Sequence, residues 1–329
     1  MAYGRIVLTK PRLRSCGEKR KFMSAWKKNM ADTDLWLKGL LEREHQEYPE
    51  DPYVLVYPDK EHAGIWHLCF NVDQGCCTAW MHLVEGEEKA LLIDTGYGIG
   101  NLKGLVQKLT DKPLLVANTH FHGDHSAGNG QFEEVYCHEY DVPYLKVQME
   151  KTEGRLLPPG DFYREEDIVS GASYQVRGLK DGEFLDLGDG DRIEVIHMPG
   201  HTAGGCMFLD HRPRLLFSGD AVLATPTLII DRFPNPFYPE YMTVSAFRDG
   251  LERFAPRLDE VEAVYPGHGI QGIDRTYFQD MLACTTAIME NPDEFEVYDY
   301  VDDPGQRQIK CVGKAMVVYS GERVWHGEA

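Results

Sequence analysis

Three histidines and an aspartate fall within six residues in the run Thr119-His120-Phe121-His122-Gly123-Asp124-His125. Imidazole nitrogen and carboxylate oxygen are donors that divalent zinc, iron and manganese accept, so a cluster this dense points to metal chemistry. The spacing H-x-H-x-D-H divides the donors between two ions. His120 and His122, two apart, share one side of an extended segment, while Asp124 and His125 follow where Gly123 allows a turn. One such cluster fills only part of a coordination sphere, and the remaining donors must come from elsewhere.

Three candidates stand out. They are His201 in Met198-Pro199-Gly200-His201-Thr202-Ala203-Gly204-Gly205, Asp220 in Leu216-Phe217-Ser218-Gly219-Asp220, and His268 in Tyr265-Pro266-Gly267-His268-Gly269. Each follows an apolar run and sits beside glycine. Residues 192–197, 215–218 and 261–265 read as short strands, which puts the candidates on loops just beyond strand ends, where rigid scaffolds carry chemistry.

With these residues in place the chain resembles the metallo-β-lactamase superfamily, whose successive motifs match Leu91-Leu92-Ile93-Asp94-Thr95-Gly96, the His120 cluster, His201, Asp220 and His268. The resemblance covers roughly residues 65–290. It implies an α/β fold, an αββα sandwich with the metals at the edge shared by two sheets. It further implies that His120, His122 and His201 bind a first ion, that Asp124, His125 and His268 bind a second, and that Asp220 bridges them. Asp94 matches the aspartate that orients a ligand without touching metal. Two divalent ions are expected, zinc first, with manganese or iron as alternatives. Asp220 is expected to hold the pair together and Asp124 to bind and orient the attacking water, which makes these two the catalytic carboxylates.

The elements that must carry this site are partly readable. Strands are expected at 79–84, 90–93, 114–118 and 134–138, and helices around 102–109 and 244–254, the latter with Phe247, Leu251 and Phe254 on one stripe. Ahead of the core, residues 32–47 predict an amphipathic helix with Leu35, Trp36, Leu40 and Leu41 apolar and Asp32 as cap, and Tyr48 to Tyr57 predicts a connecting stretch. The expected organisation is a basic arm and helix over 1–60, a catalytic domain over 61–291, and an extension over 292–329 with a strand or hairpin at Ala315–Tyr319.

Composition narrows the partners. The 329 residues carry a formal net charge of −19, but residues 1–28 hold nine Lys or Arg against one acidic residue, so the remainder holds 25 basic and 52 acidic residues. A body that acidic repels phosphate backbones, and no nucleic-acid partner is expected. No apolar run approaches the roughly 18 residues of a membrane span, and no hydrophobic signal core precedes the arm, so a cytoplasmic protein without a membrane partner is expected. A homo-oligomer through either extension is possible on the same reading. The eight cysteines, at 16, 69, 76, 77, 137, 206, 284 and 311, lack a C-x-x-C spacing and read as thiols. His45, His62, His67, His82, His138, His197, His211 and His326 read as surface or satisfied core residues.

Between the motifs, residues 225–242 interleave prolines with Arg232, Phe233, Phe237, Tyr238 and Tyr241 directly after Asp220. These five are the expected wall for a small-molecule substrate: aromatic faces for an acyl chain or ring, and a guanidinium for a carboxylate. The resemblance implies a hydrolase in which both ions share the attacking hydroxide. Antibiotic-cleaving members carry Cys or Ser where this chain has Asp220, which turns the expectation toward a carboxylic ester or lactone. A thioesterase or phosphodiesterase of the same fold, or a mononuclear iron dioxygenase, are the alternatives.

Overall fold

The computed structural model describes residues 24–70, 78–150, 163–169, 173–230, 236–299 and 307–325. An eight-stranded sheet runs in sequence order through β1 (Gln46–Tyr48), β2 (Asp51–Pro58), β3 (Ile65–Phe70), β4 (Ala79–Glu85), β5 (Ala90–Ile93), β6 (Leu114–Ala117), β7 (Glu134–His138) and β8 (Gln175–Leu179). It is antiparallel up to the β4–β5 pair and parallel from there on. A five-stranded sheet is built from β9 (Phe184–Gly188), β10 (Asp191–His197), β11 (Cys206–Asp210), β12 (Leu215–Gly219) and β14 (Ala263–Pro266). A third, four-stranded sheet combines β13 (Thr227–Ile229) with β15 (Glu296–Tyr298), β16 (Arg307–Val312) and β17 (Ala315–Tyr319), in the order β13-β17-β16-β15.

The two larger sheets pack face to face. Ile65, Val84, Leu91 and Ile93 of the first meet Val195, Phe208, Leu215 and Phe217 of the second in one buried cluster. Strands sandwiched this way are buried on both faces, which is why β4 and β5 read as nearly continuous apolar runs instead of alternating. Helix α2 (Leu102–Leu109) covers the outer face of the first sheet, its N-terminus capped where Asn101 Oδ1 accepts from Gly104 N at 3.0 Å. α5 (Val244–Phe254) and α6 (Thr276–Glu290) cover the second. Thr243 caps α5 at Ala246 N, and Phe247, Leu251 and Phe254 are buried as their spacing requires. Two short helices, α3 (Gly123–Ser126) and α4 (Val142–Glu150), follow β6 and β7. The layers are αββα, with the third sheet added beside α6.

Two expectations at the front of the chain are corrected. The first helix, α1, spans Ala25–Lys38 and stops at Gly39, with Ser24 and not Asp32 before it. It buries Trp26, Met30, Thr33 and Leu37, whereas Leu35 is 71% exposed. The stripe that decides its orientation begins at Trp26, inside the basic run, and packs on the third sheet through Ile309, Met316 and Val318. The stretch from Tyr48 to Tyr57, expected to be a connection, is strand: β2 pairs with β3 from Val54↔Phe70 to Pro58↔Trp66. Pro52 and Pro58 lie at its ends, where a missing N–H costs little, and Val54 and Val56 are buried. β1 and β2 are therefore part of the large sheet.

The C-terminal hairpin forms as expected and lies deep in the protein. Every residue of β17 is buried: Ala315, Val317 and Tyr319 face α6, and Met316 and Val318 face α1. β13 pairs with it in parallel, Leu228 opposite Val318. The basic arm up to residue 23, Cys16, Cys76, Cys77, residues 151–162, Arg232, Phe233 and His326 lie outside the described residues.

Candidate metal centre

Each candidate donor leaves the C-terminal end of a strand, and the two sheets bring those ends to one edge. Asp94 follows β5, the His120–His125 run follows β6, His201 follows β10, Asp220 follows β12, and His268 follows β14. Asp94 sits in the left-handed region at φ 63°, a conformation that turns its carboxylate back onto the neighbouring loop. Gly267 lets the β14 backbone approach closely: a Cβ there would lie 2.6 Å from His125 Cε1 and 2.7 Å from Asp220 Oδ1.

The seven donors converge as two trios linked by a third. His120, His122 and His201 form one set, Asp124, His125 and His268 another, and His120, His125 and Asp220 span between them, with the ligand atoms of each set within 4.8 Å of one another. His125 Nε2 lies 3.4 Å from Asp220 Oδ1, and His201 Nε2 and His268 Nε2 each lie 3.5 Å from Asp220 Oδ2. His268 Nε2 is 3.2 Å from Asp124 Oδ2. His120 Nε2, His201 Nε2 and Asp220 Oδ1 are buried without hydrogen-bond partners. Buried polar atoms are normally satisfied, so three orphans converging on one point call for a bound group.

Hydrogen bonds on the far side of each ring explain why the Nε2 atoms face inward. His201 Nδ1 donates to Leu228 O at 2.7 Å and His268 Nδ1 to Thr78 O at 2.6 Å. A carbonyl can only accept, so both rings carry their proton on Nδ1 and present an Nε2 lone pair, the form a cation needs. His125 Nδ1 is held by Asp94 Oδ2 at 2.9 Å. Asp94 also accepts from Thr119 N at 2.7 Å and Thr119 Oγ1 at 2.8 Å, and that hydroxyl in turn accepts from His120 Nδ1 at 3.1 Å. One carboxylate thus orients His125 directly and His120 through Thr119. The His125 carbonyl is fixed as well, accepting from Thr95 N at 2.7 Å and Asn118 Nδ2 at 3.1 Å. Trp80 brackets His268, its backbone N donating to Gly267 O and its indole to Gly269 O.

The electrostatics require positive charge at this point. Asp94, Asp124 and Asp220 are nearly buried, and among the described residues their ion-pair contacts are histidines alone. Burial opposes charge on His125, but Asp220, Asp124 and Asp94 overrule it and push the ring up to about 10. His268, likewise buried, is drawn up to about 8 by Asp220 and Asp124. Burial and then the His201 ring take His122 down to about 3, and burial with the neighbouring imidazoles holds His120 well below the ordinary histidine range. Carboxylates and imidazoles confined together, with no Lys or Arg paired to them among the described residues, form a donor set suited to divalent cations of the zinc, iron or manganese type, which would replace the protons held on His125 and His268. A separate Glu194–His211–Glu260 cluster does not share this property, because Arg257 pairs with both of its carboxylates.

The expected substrate residues divide. Phe237 and Tyr241 pack into an aromatic cluster with Phe121, Tyr140, Tyr144 and Met242. Phe121 stacks on Tyr144 at 4.2 Å, and its ring lies 4.8 Å from that of His122, so the cluster abuts the tri-histidine set. Tyr238 is 40% exposed, at φ 49°, against the Tyr140 ring. Four of the lone histidines contact one another: His67 and His82 pair through Nδ1 at 2.9 Å, and His138 stacks on His197 at 3.9 Å. Cys206 is a buried free thiol beside the site. Sequence reasoning missed Asp141, which accepts from Phe121 N, Thr202 Oγ1 and Gly204 N. A single aspartate before a helix carries no sequence signal that separates it from any other helix start.

Comparison with known proteins agrees with this geometry. The model of the metallo-beta-lactamase superfamily matches residues 75–268. Acyl-coenzyme A thioesterase MBLAC2 of Gallus gallus is 31% identical over 214 residues, covering 59% of this chain and 74% of that protein. Hydroxyacylglutathione hydrolase GloC of Haemophilus influenzae is 27% identical over 205 residues, covering 60% of this chain and 85% of that one. The crystal structure of a beta-lactamase domain protein from Burkholderia ambifaria shares the fold at a TM-score of 0.52 and 18% identity, over 72% of this chain and 74% of its own. Fold, ligand-type side chains and the family match place the chain in one group: it belongs to the metallo-β-lactamase superfamily.

Proposed function

We propose that this chain is a dinuclear metal-dependent hydrolase that cleaves acyl thioesters of small-molecule carriers. The observation that carries the metal reading is the convergence of His120 Nε2, His201 Nε2 and Asp220 Oδ1, buried and unpartnered, between the two trios. His120, His122 and His201 would hold one ion, Asp124, His125 and His268 the other, with Asp220 facing both; zinc fits the imidazole-rich donors best, and manganese or iron also fit. When bound, such ions supply Lewis acidity, polarising an acyl carbonyl and bringing water toward its nucleophilic form near neutral pH.

This chain's own groups do the rest. Asp124, within 3.2 Å of His268 Nε2, stands where a carboxylate oxygen can accept a proton from attacking water. Asp94 and Thr119 keep the rings of His125 and His120 from turning. The aromatic cluster around Phe121, Tyr144 and Phe237 offers an apolar flank for an acyl group, and exposed Tyr238 an adjustable one.

The choice of thioester over the oxygen ester or lactone favoured by the sequence has two supports. Thioester hydrolysis is the activity named for relatives with two different thiol carriers, coenzyme A and glutathione. Chemistry agrees: a thiol of pKa near 8.5 departs as thiolate without protonation, so the site needs no separate acid for its leaving group. The test is metal analysis of purified protein beside a hydrolysis panel of acyl-coenzyme A thioesters, an acylglutathione, aryl esters, lactones and a bis-aryl phosphodiester. About two ions per chain with thioester turnover supports the proposal. Ester, lactone or phosphodiester turnover with thioesters untouched overturns the substrate class, and one iron with oxygen consumption overturns the mechanism.

A further inference from the structure

We infer that Asp141 is a positioning residue for the tri-histidine set, the clamp that holds together the two loops supplying His120, His122 and His201. The inference rests on the proposal that those three rings hold a cation. Asp141 is fully buried, at the start of α4, where its carbonyl accepts from Leu145 N at 3.1 Å. An aspartate there ordinarily turns its carboxylate onto the free N–H groups of its own helix. Here both oxygens are used elsewhere. Oδ2 accepts from Phe121 N at 3.0 Å and from Thr202 Oγ1 at 3.1 Å, and Oδ1 accepts from Gly204 N at 2.7 Å.

Phe121 is the residue between His120 and His122, and Thr202 follows His201 directly. One carboxylate therefore ties the His120–His122 segment, which follows the first sheet, to the His201 loop, which follows the second. The contact depends on glycine at 204, where a Cβ would come within 2.6 Å of Asp141 N and 2.7 Å of its Cγ. The other trio has different anchors, Asp94, Thr95 and Asn118 around His125 and Thr78 at His268. Asp94 also reaches the tri-histidine set, through Thr119 to His120, whereas the hydrogen bonds of the Asp141 carboxylate all go to the loops of that one set.

Asp141→Asn separates the roles. The amide oxygen can still accept from Gly204 N, but its NH2 then faces Phe121 N–H donor to donor, and the segment carrying His120 and His122 is pushed off the His201 loop. Metal affinities are to be measured on folded protein by chelator competition with zinc and with cobalt, beside thermal melting of the metal-free protein. Expected is a loss of about 10- to 100-fold in affinity for one ion and little change for the other. Thr202→Val, which removes one donor at constant shape, should lose about 2- to 10-fold at the same site and keeps the test open if Asp141→Asn does not fold. Asp210→Asn, a buried aspartate at the opposite end of β11, is the control for burial alone.

Wild-type affinity for both ions in Asp141→Asn and Thr202→Val, or a lowered metal-free melting point as the only effect, overturns the positioning role. His122→Ala keeps the two readings apart. If it loses one ion while Asp141→Asn loses none, the clamp fails and the ligand set stands; if it retains both ions, the ligand set itself is wrong.

Discussion

Replacing Asp94 by Asn changes one atom in a buried position that makes three hydrogen bonds, at 2.7, 2.8 and 2.9 Å. The amide oxygen can keep the Thr119 N contact, and the Thr119 hydroxyl can rotate to accept from the new NH2. His125 has no such remedy. Its Nδ1–H would point at an N–H donor, or the ring would take the other tautomer and place its proton on Nε2, the atom aimed at Asp220 and His268. Losing one charge-assisted hydrogen bond costs about 1.5–3 kcal/mol, which at about 1.4 kcal/mol per decade is roughly a 10- to 100-fold loss of affinity for the ion of the Asp124–His125–His268 set. Chelator competition on folded protein reads that number, and circular dichroism checks the fold. Wild-type affinity for both ions in a folded Asp94→Asn variant would refute the orientation argument.

Asp220→Ala removes the carboxylate lying 3.4–3.5 Å from three inward-facing nitrogens and should lose metal and turnover together; full metal content with full activity would sink the shared role. Tyr238→Ala, on an exposed ring, should raise KM or change acyl preference while metal content holds, and unchanged kinetics would remove Tyr238 from the substrate wall. Phe237→Ala, which loses the edge contact with Tyr144 at 5.1 Å, should shift KM or acyl preference and also lower the melting temperature, by about 2–4 °C for each kcal/mol lost. Far from the site, burial pushes Asp51 up to about 7, against the bonds it accepts from Tyr53 and Asn101 N. Because its folded pKa lies above the unfolded one, folded protein takes up the proton first. Stability therefore falls as pH rises from about 4 through 7, by at most about 1.4 kcal/mol per pH unit for this group. Denaturant titrations at pH 5.5, 7 and 8.5 should show a shallower slope in Asp51→Asn, and identical slopes would mean that Asp51 stays ionised.

Much of the core was legible because its elements carry strong local patterns. β5, β7, α2 and α5 have the expected bounds: β5 is an unbroken apolar run, β7 holds Val135, Tyr136 and Cys137 between polar ends, and α2 and α5 carry clear helical stripes. The histidine and aspartate motifs were legible for another reason: donor type and glycine context confine them to strand ends. α1 was misread because the expected apolar face of Leu35, Trp36, Leu40 and Leu41 is split, Leu35 and Leu41 being exposed while Trp36 and Leu40 pack on Trp80, and because Trp26 and Met30 hide among lysines. β2 was missed because prolines at both ends look like loop. The carbonyls of Thr78 and Leu228 that fix two rings have no side-chain signature at all, and Asp141 gains its meaning from loops about 20 and 60 residues away.

The pairing of β13 with β17 has a consequence for how the protein is made. His201 takes its orientation from the Leu228 carbonyl, and Leu228 is held opposite Val318, 90 positions later in the chain. At about 5–20 residues per second, a ribosome needs roughly 5–20 s to reach the strand that fixes that carbonyl. During synthesis the His120–His125 run is present long before the His201 ring has its support. The Leu228 support of the His201 ring therefore waits on β17, and a nascent chain stalled short of it would carry every candidate ligand without that support.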